Sequence, residues 1–368
     1  MIFELAFAVL PISSPPATIV AEGFQTPKQP QLCVSADGII HLTFGDGGRV
    51  YYTRSDGSSP LTFSKPVTVA DVPNLSLGMR RGPRIAATGK TVVISAIGGK
   101  LGKGKDGDLF AWRSIDGGQT WQGPVMVNDV PASAREGLHA MAAGKDGTFA
   151  CTWLDLRNKQ TELRLATSKD GAVWSENHLA YQAPDGPICQ CCHPSIAFDH
   201  QGAVHLLWRN LIAGDRDMYR SSSTDGGTAF SSAVKLGRGS WKLNACPMDG
   251  GSFDIHAGRV VTAWRRERIV YATFGDDRKE VRLGPGEQPV VTSTSAGAVV
   301  AWLERRPGKL LIQRENDALP TVVAADANDP VMAATSERKQ VVLAWETMAH
   351  GRPAIRVSIR DPLTLNDR

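Results

Sequence analysis

The octapeptide SIDGGQTW, residues 114–121, reads as a tight turn. Its Asp carboxylate can accept the turn amides, its glycines can take positive φ, and the closing aromatic can pack beneath the turn. STDGGTAF, residues 223–230, repeats the pattern with Phe230 in the aromatic place. SKDGAVW, residues 168–174, is one residue shorter, and RSDGSSPLTF around Asp56 is a degenerate copy. A turn that recurs implies hairpins that recur.

The segments around these turns repeat as well. Five mostly apolar runs end in tryptophan, at Trp153, Trp208, Trp264, Trp302 and Trp345. GIIHLTF, ending at Phe44, and TVVISAI, ending at Ile97, hold the same place in two further units. A short apolar segment precedes each run, and a third strand-like segment such as DLFAWRS or ELRLATS follows it. Pro30, Pro83, Pro194, Pro247, Pro289 and Pro330 mark the unit starts, with Leu138 in the same place in the third unit. Repeats of roughly 40 to 55 residues, each of three or four strands, are propeller blades. Seven units are favoured, with six as the alternative. The last unit lacks a fourth strand, which the unassigned segment 17–23 can supply, closing the ring and covering an exposed sheet edge.

SIDGGQTW resembles the Asp-box (S-x-D-x-G-x-T-W) of the sialidase-like, BNR-repeat propellers. The resemblance implies an all-β propeller of four-stranded blades over residues 17–368, with the boxes on the face away from the active site and hence a structural role for Asp116 and Asp225. It also implies what a sugar-cleaving mouth needs: arginines for a substrate carboxylate, a tyrosine nucleophile assisted by Glu, and an Asp acid/base. GPRIAA at Arg84 resembles the family's F-R-I-P element without its Phe and final Pro. Arg84, Arg209 and Arg265 lie on loops or strand ends at the mouth and are expected to converge on an anion, with Asp155 of WLDLR as the acid. A tyrosine is missing from this set: Tyr51, Tyr52, Tyr219 and Tyr271 fall in third-strand runs, and Tyr181 lies just before the cysteine cluster. The expected partner is an acidic glycan or another small anion, handled by an exo-sialidase-like hydrolase or a binder.

Composition narrows the rest. Forty-one basic and 37 acidic residues give a net charge of +4 with no basic block, which argues against nucleic-acid binding. Thirty-seven Gly and 22 Pro leave little room for helices. Nothing in the sequence bears on oligomeric state. Residues 1–16 hold an apolar run from Ile2 to Leu10, too short to span a bilayer. They read as a weak leader segment, interrupted by Glu4, for a secreted or periplasmic protein.

Three of the six cysteines fall in ICQCCHP, residues 188–194. Cys189, Cys191, Cys192 and His193 lead into the fourth unit, and Cys246 of NACPMDGG leads into the fifth. Thiolates and an imidazole suit a copper or zinc ion. C-x-x-C-H from Cys189 to His193 is formally a haem attachment, but no helical segment is present to wrap a porphyrin. A disulfide from the cluster to Cys246, stapling two blades, is the alternative to a metal. At least three of these five side chains, Cys246 among them, are expected to converge. Adjacent Cys191 and Cys192 should point opposite ways if their stretch is extended. Cys33 and Cys151 sit inside strand-like runs and read as small buried apolar residues.

Overall fold

The structure, a computed structural model, describes residues 17–58, 61–158 and 160–365. The leader segment expected at 1–16 lies outside them. Among the described residues the only helical element is one short turn, Pro362–Thr364; everything else is strand and loop. Five sheets each have four antiparallel strands in sequence order, within Lys28–Asp71, Arg84–Met126, His139–Tyr181, Ser195–Lys235 and Ser252–Pro285. A sixth sheet has seven strands, because the long strand Thr321–Ala334 is the outer strand of one four-stranded group and the first strand of the next. The edge of that second group is Thr18–Ala21, which pairs antiparallel with Arg352–Arg360. The segment 17–23, expected to join the last unit, does so through these residues.

Neighbouring sheets touch through their first strands. Lys28–Val34 packs on Arg84–Thr88, that strand on His139–Ala143, and so on to Glu287–Thr294, Thr321–Ala334 and back to Lys28–Val34. These strands line a central cavity of about 660 Å³, to which Gln31, Arg84, Ser195, Ser252, Val290 and Val331 contribute. Between the sheets lie the apolar faces of the second strands. Trp153, Trp208, Trp302 and Trp345 are fully buried there. Large apolar surfaces of this kind supply most of the folding free energy, about 25 cal/mol per Å² removed from water.

The Asp turns at Asp116, Asp170 and Asp225 lock one sheet to the next. Asp116 Oδ1 accepts the backbone N–H groups of Gln119 and Thr120, each at 2.9 Å, and Ser114 Oγ accepts that of Gly118 at 2.8 Å. Gly118 has φ +91°, and a Cβ there would lie 2.2 Å from the Tyr52 ring of the preceding sheet. Trp121 meets the same ring edge-on at 5.0 Å. Asp225 repeats the arrangement, accepting from Thr228 and Ala229, and Gly227 abuts Leu165 of the preceding sheet. The shorter SKDGAVW makes the turn too, with Asp170 Oδ1 accepting from Ala172 and Val173 at 2.8 and 3.0 Å.

One expected unit start moves. Pro247 does not begin a strand; Ser252 does, five residues later, with Gly250 and Gly251 before it. The reason is steric: a Cβ on Gly250 would stand 2.3 Å from the His193 carbonyl oxygen, so a close approach between two sheets requires glycine there.

First and last sheets are also joined by a buried carboxyl. Glu346 Oε1 accepts the Gln29 backbone N–H at 2.7 Å, and Oε2 accepts from Asn328 Nδ2 at 3.0 Å. Burial first, and then the charge of Asp329, pushes the Glu346 carboxyl up from 4.5 to about 7. The folded state thus holds this proton more tightly than the unfolded chain, and stability contributed by the group falls as pH rises from 4.5 to about 7. Glu346→Gln should remove that slope and stabilise the protein above pH 7 by up to roughly 3 kcal/mol, at about 1.4 kcal/mol per unit. Asn328, whose Oδ1 lacks a partner, can turn its amide to meet the new N–H donor. Urea midpoints of both proteins across this pH range test the prediction; parallel curves would refute it.

Candidate functional site

The cysteine loop runs from the outer strand His178–Tyr181 to the first strand Ser195–Phe198. It is pinned to the end of a neighbouring strand: Leu211 N–H donates to Pro187 O at 3.0 Å, and Cys189 N–H to Arg209 O at 2.8 Å. The chain then turns, with Cys192 N–H on Cys189 O at 3.3 Å. Because the stretch is a turn rather than a strand, all three thiols face one point. Cys189 Sγ lies 3.2 Å from Cys192 Sγ and 3.6 Å from Cys191 Sγ, and the three sulfurs lie within 4.8 Å of one another. They are 0%, 7% and 1% exposed for Cys189, Cys191 and Cys192, so only a small species could reach them. The expected opposition of Cys191 and Cys192 is not found.

Cys246 does not join them. It is exposed, and Met248, two residues later, packs against the three cysteines instead. A staple through Cys246 is thereby corrected; proline at 247 and the positive φ of Met248 (55°) carry the chain past the site. His193 is not part of the sulfur group either. It lines the central cavity, and its Nδ1 accepts the Gly250 N–H at 3.2 Å. Burial, and then the guanidiniums of Arg80, Arg84 and Arg209, hold the imidazole neutral by pulling its pKa well below the ordinary value.

Arg216 completes the pocket. Its Nη1 donates to Cys189 Sγ at 3.0 Å, while its Nε donates to Leu243 O at 3.0 Å. A buried guanidinium aimed at one sulfur identifies that sulfur as the thiolate. The hydrogen bonds from Cys191 and Cys192, and then the charges of Arg209 and Arg216, hold the Cys189 thiol far below its ordinary range despite burial. The anion so formed pushes Cys191 up to about 12, and burial, with Cys189 adding to it, raises Cys192 well above the ordinary thiol range. Neither Arg216 nor the contact of Met248 could be read from the local sequence, because both reach the cysteines from other loops.

The residues expected to handle a sugar are placed differently. Arg84 spends its guanidinium on the carbonyls of Arg80, Gly82, Pro83 and His139. Arg209 donates to the carbonyls of Asp249, Arg216 and Arg265 and lies 5.4 Å from the Trp241 ring centre. Arg265 is paired with Glu287 at 3.0 Å. Of the three, Arg84 lines the central cavity. Asp155 is fully buried and accepts from Ser133, Trp153 Nε1 and Arg157. Asn210 holds the same place two residues after Trp208 and accepts that indole N–H at 3.0 Å, so the position serves the tryptophan.

The profile of the BNR repeat-like domain matches residues 64–253. The chain belongs to this family. No curated protein sequence matches it. Solved structures do. The GH93 α-L-arabinofuranosidase of Fusarium graminearum, complexed with arabinobiose, is 12% identical, with TM-score 0.56 over 95% of this chain and 98% of that one. An α-L-arabinanase of Penicillium chrysogenum, also with arabinobiose, is 13% identical, with TM-score 0.56 over 95% and 100%. The leech intramolecular trans-sialidase is 11% identical, with TM-score 0.53 over 97% and 71%. At these identities the likeness is one of fold: this BNR repeat-like chain is an all-β propeller of the sialidase and arabinofuranosidase kind. Among its described residues no helix is long and apolar enough to cross a membrane.

Thiol accessibility follows from the placement. Burial pushes Cys33 and Cys151 up to about 12, Cys33 being half-buried on the central cavity; the cluster is enclosed, and Cys246 is the exposed thiol. An aromatic disulfide reagent should label one thiol quickly in the native reduced protein and all six after denaturation. Cys246→Ser should abolish the fast phase; rapid labelling of Cys189, Cys191 or Cys192 in the native state, located by peptide mass, would contradict the enclosed cluster.

Proposed function

We propose that this BNR repeat-like propeller has seven blades in a closed ring, is exported, and carries a soft-metal centre at its mouth. The observation that carries the metal reading is the convergence of Cys189, Cys191 and Cys192 within 4.8 Å beside the Arg216 guanidinium. Thiolates at about 2.3 Å from a shared ion lie roughly 4 Å from one another. The observed separations of 3.2 and 3.6 Å come near that with small side-chain adjustments. A disulfide would need one pair to close to about 2.05 Å and would leave the third thiol beside it unused. The blade count rests on the cyclic packing of first strands, and export on the apolar leader.

Full-length protein purified anaerobically with its thiols reduced should bind one soft metal ion per chain. Cys192→Ser should weaken binding by more than about a hundredfold, beyond the range of outer-shell changes. Cys246→Ser should leave binding intact. At a hundredfold excess over the dissociation constant, bound metal should add about 2.7 kcal/mol of stability. Reduced protein that binds no ion, with a Cys189–Cys192 disulfide forming on oxidation, would replace this reading by a redox pair.

A glycan-directed reading has the fold of the arabinose- and sialic-acid-handling structures behind it. Its chemistry would require arginines free to hold a carboxylate and an acid free to donate a proton. Arg84, Arg209, Arg265 and Asp155 are instead committed to carbonyls, Glu287, Trp153 and Arg157. A fluorogenic sialoside at mildly acid pH should therefore remain uncleaved by the wild-type chain. Turnover that Asp155→Asn abolishes without loss of folding would restore the hydrolase reading.

A further inference from the structure

The pocket's donors and charges also bear on which ion it takes. We infer that the three-cysteine site selects a monovalent d¹⁰ cation, Cu(I), over Zn(II). This rests on the metal-centre reading above and adds the oxidation state of the ion.

Donor number comes first. Structural zinc sites hold the ion with four N, S or O ligands in a closed tetrahedron. Here three sulfurs converge, and no His, Asp or Glu of the described residues joins their group. The remaining neighbour is the thioether of Met248, packed on the cysteines. Thiolates and thioethers are the soft donors that favour Cu(I), and a thioether is a poor fourth ligand for zinc. Water is an inefficient substitute in a pocket whose three cysteines are 7% exposed or less.

Charge is the second consideration, independent of the first. Three thiolates around a monovalent ion carry two net negative charges, once the thiol protons have left to solvent. Two guanidiniums lie at the pocket: Arg216 with its N–H on Cys189 Sγ, and Arg209, whose Nη1 donates to the Arg216 carbonyl and whose charge acts on Cys189. Both side chains are buried, Arg209 at 1% exposure and Arg216 at 9%, and among the described residues neither forms a direct ion pair with a carboxylate; their N–H groups go to carbonyls and to sulfur. The three thiolates, these two guanidiniums and a monovalent ion thus sum to zero. A divalent ion would leave one positive charge uncompensated in a buried place, which is costly.

The test uses the full-length reduced chain under anaerobic conditions, with Cu(I) and Zn(II) each titrated against a chromogenic chelator. One Cu(I) should bind per chain, and equimolar Zn(II) should not displace it. Arg216→Gln, which removes one guanidinium, should weaken Cu(I) binding by about 10- to 100-fold, the range for outer-shell partners. Arg216→Lys keeps the charge and should retain the preference. If Arg216→Gln does not fold, Met248→Leu supplies the second variant: it keeps the packing, removes the thioether and should lower Cu(I) affinity. Zn(II) bound one per chain as tightly as Cu(I) would overturn the selectivity and leave the metal centre standing. Binding of neither ion would overturn the metal centre itself. Unchanged Cu(I) and Zn(II) affinities in Arg216→Gln would refute charge compensation.

Discussion

A small sheet of four short strands has two faces to cover and cannot do so alone. In this protein each sheet covers its faces with the sheets on either side, and everything else follows from that contact. It sets the tryptophan at the end of the second strand, because a flat, wide side chain fills the wedge between two twisted sheets. It sets the Asp turns, whose glycines are where one sheet comes closest to the last. It also leaves the connecting loops crowded together at one end of the cavity, so residues far apart in sequence become neighbours there.

The same contact explains why the arginines of the mouth are structural. Loops converging on a narrow opening bring many backbone carbonyls together away from water, and carbonyls without donors are costly. Arg80 bridges Pro330 O and Gln288 O, Arg84 gathers four carbonyls, and Arg209 three. Guanidinium, with five N–H donors, is suited to this work. The positive charge it leaves behind is then what makes a buried thiolate tolerable. Arginine content in a propeller mouth therefore does not by itself indicate an acidic substrate.

Much of the fold was legible because its signals are local. The turn SIDGGQTW, the apolar runs ending in Trp and the spare segment 17–23 each declare themselves within a few residues. The site was legible in part. Cys189, Cys191 and Cys192 share one loop, and a loop must turn, so their grouping was open to inference. The direction of each thiol was not, because it depends on whether that loop is extended or turned. Equating Pro247 with the prolines that begin other units misplaces Cys246; Gly250, required by His193, and Gly251, packed against Met218 and Leu207, are the better marker. Arg216 and Met248 reach the thiols across space, and no spacing rule finds them. Asp155 resembled an acid until Asn210 was found accepting the indole of Trp208 in the same way.

The strand Thr18–Ala21 has Arg352–Arg360 as its partner, Ala21 lying opposite Ile355. On a ribosome the first of these is finished long before the second exists. At about 5–20 residues per second the interval is roughly 15 to 70 s. Throughout it, Val20 and Ala21, buried in the finished molecule at 6% and 0% exposure, have no sheet to join. The strand Arg352–Arg360 thus determines when Thr18–Ala21 can pair, and a nascent chain carries that strand without its partner until then.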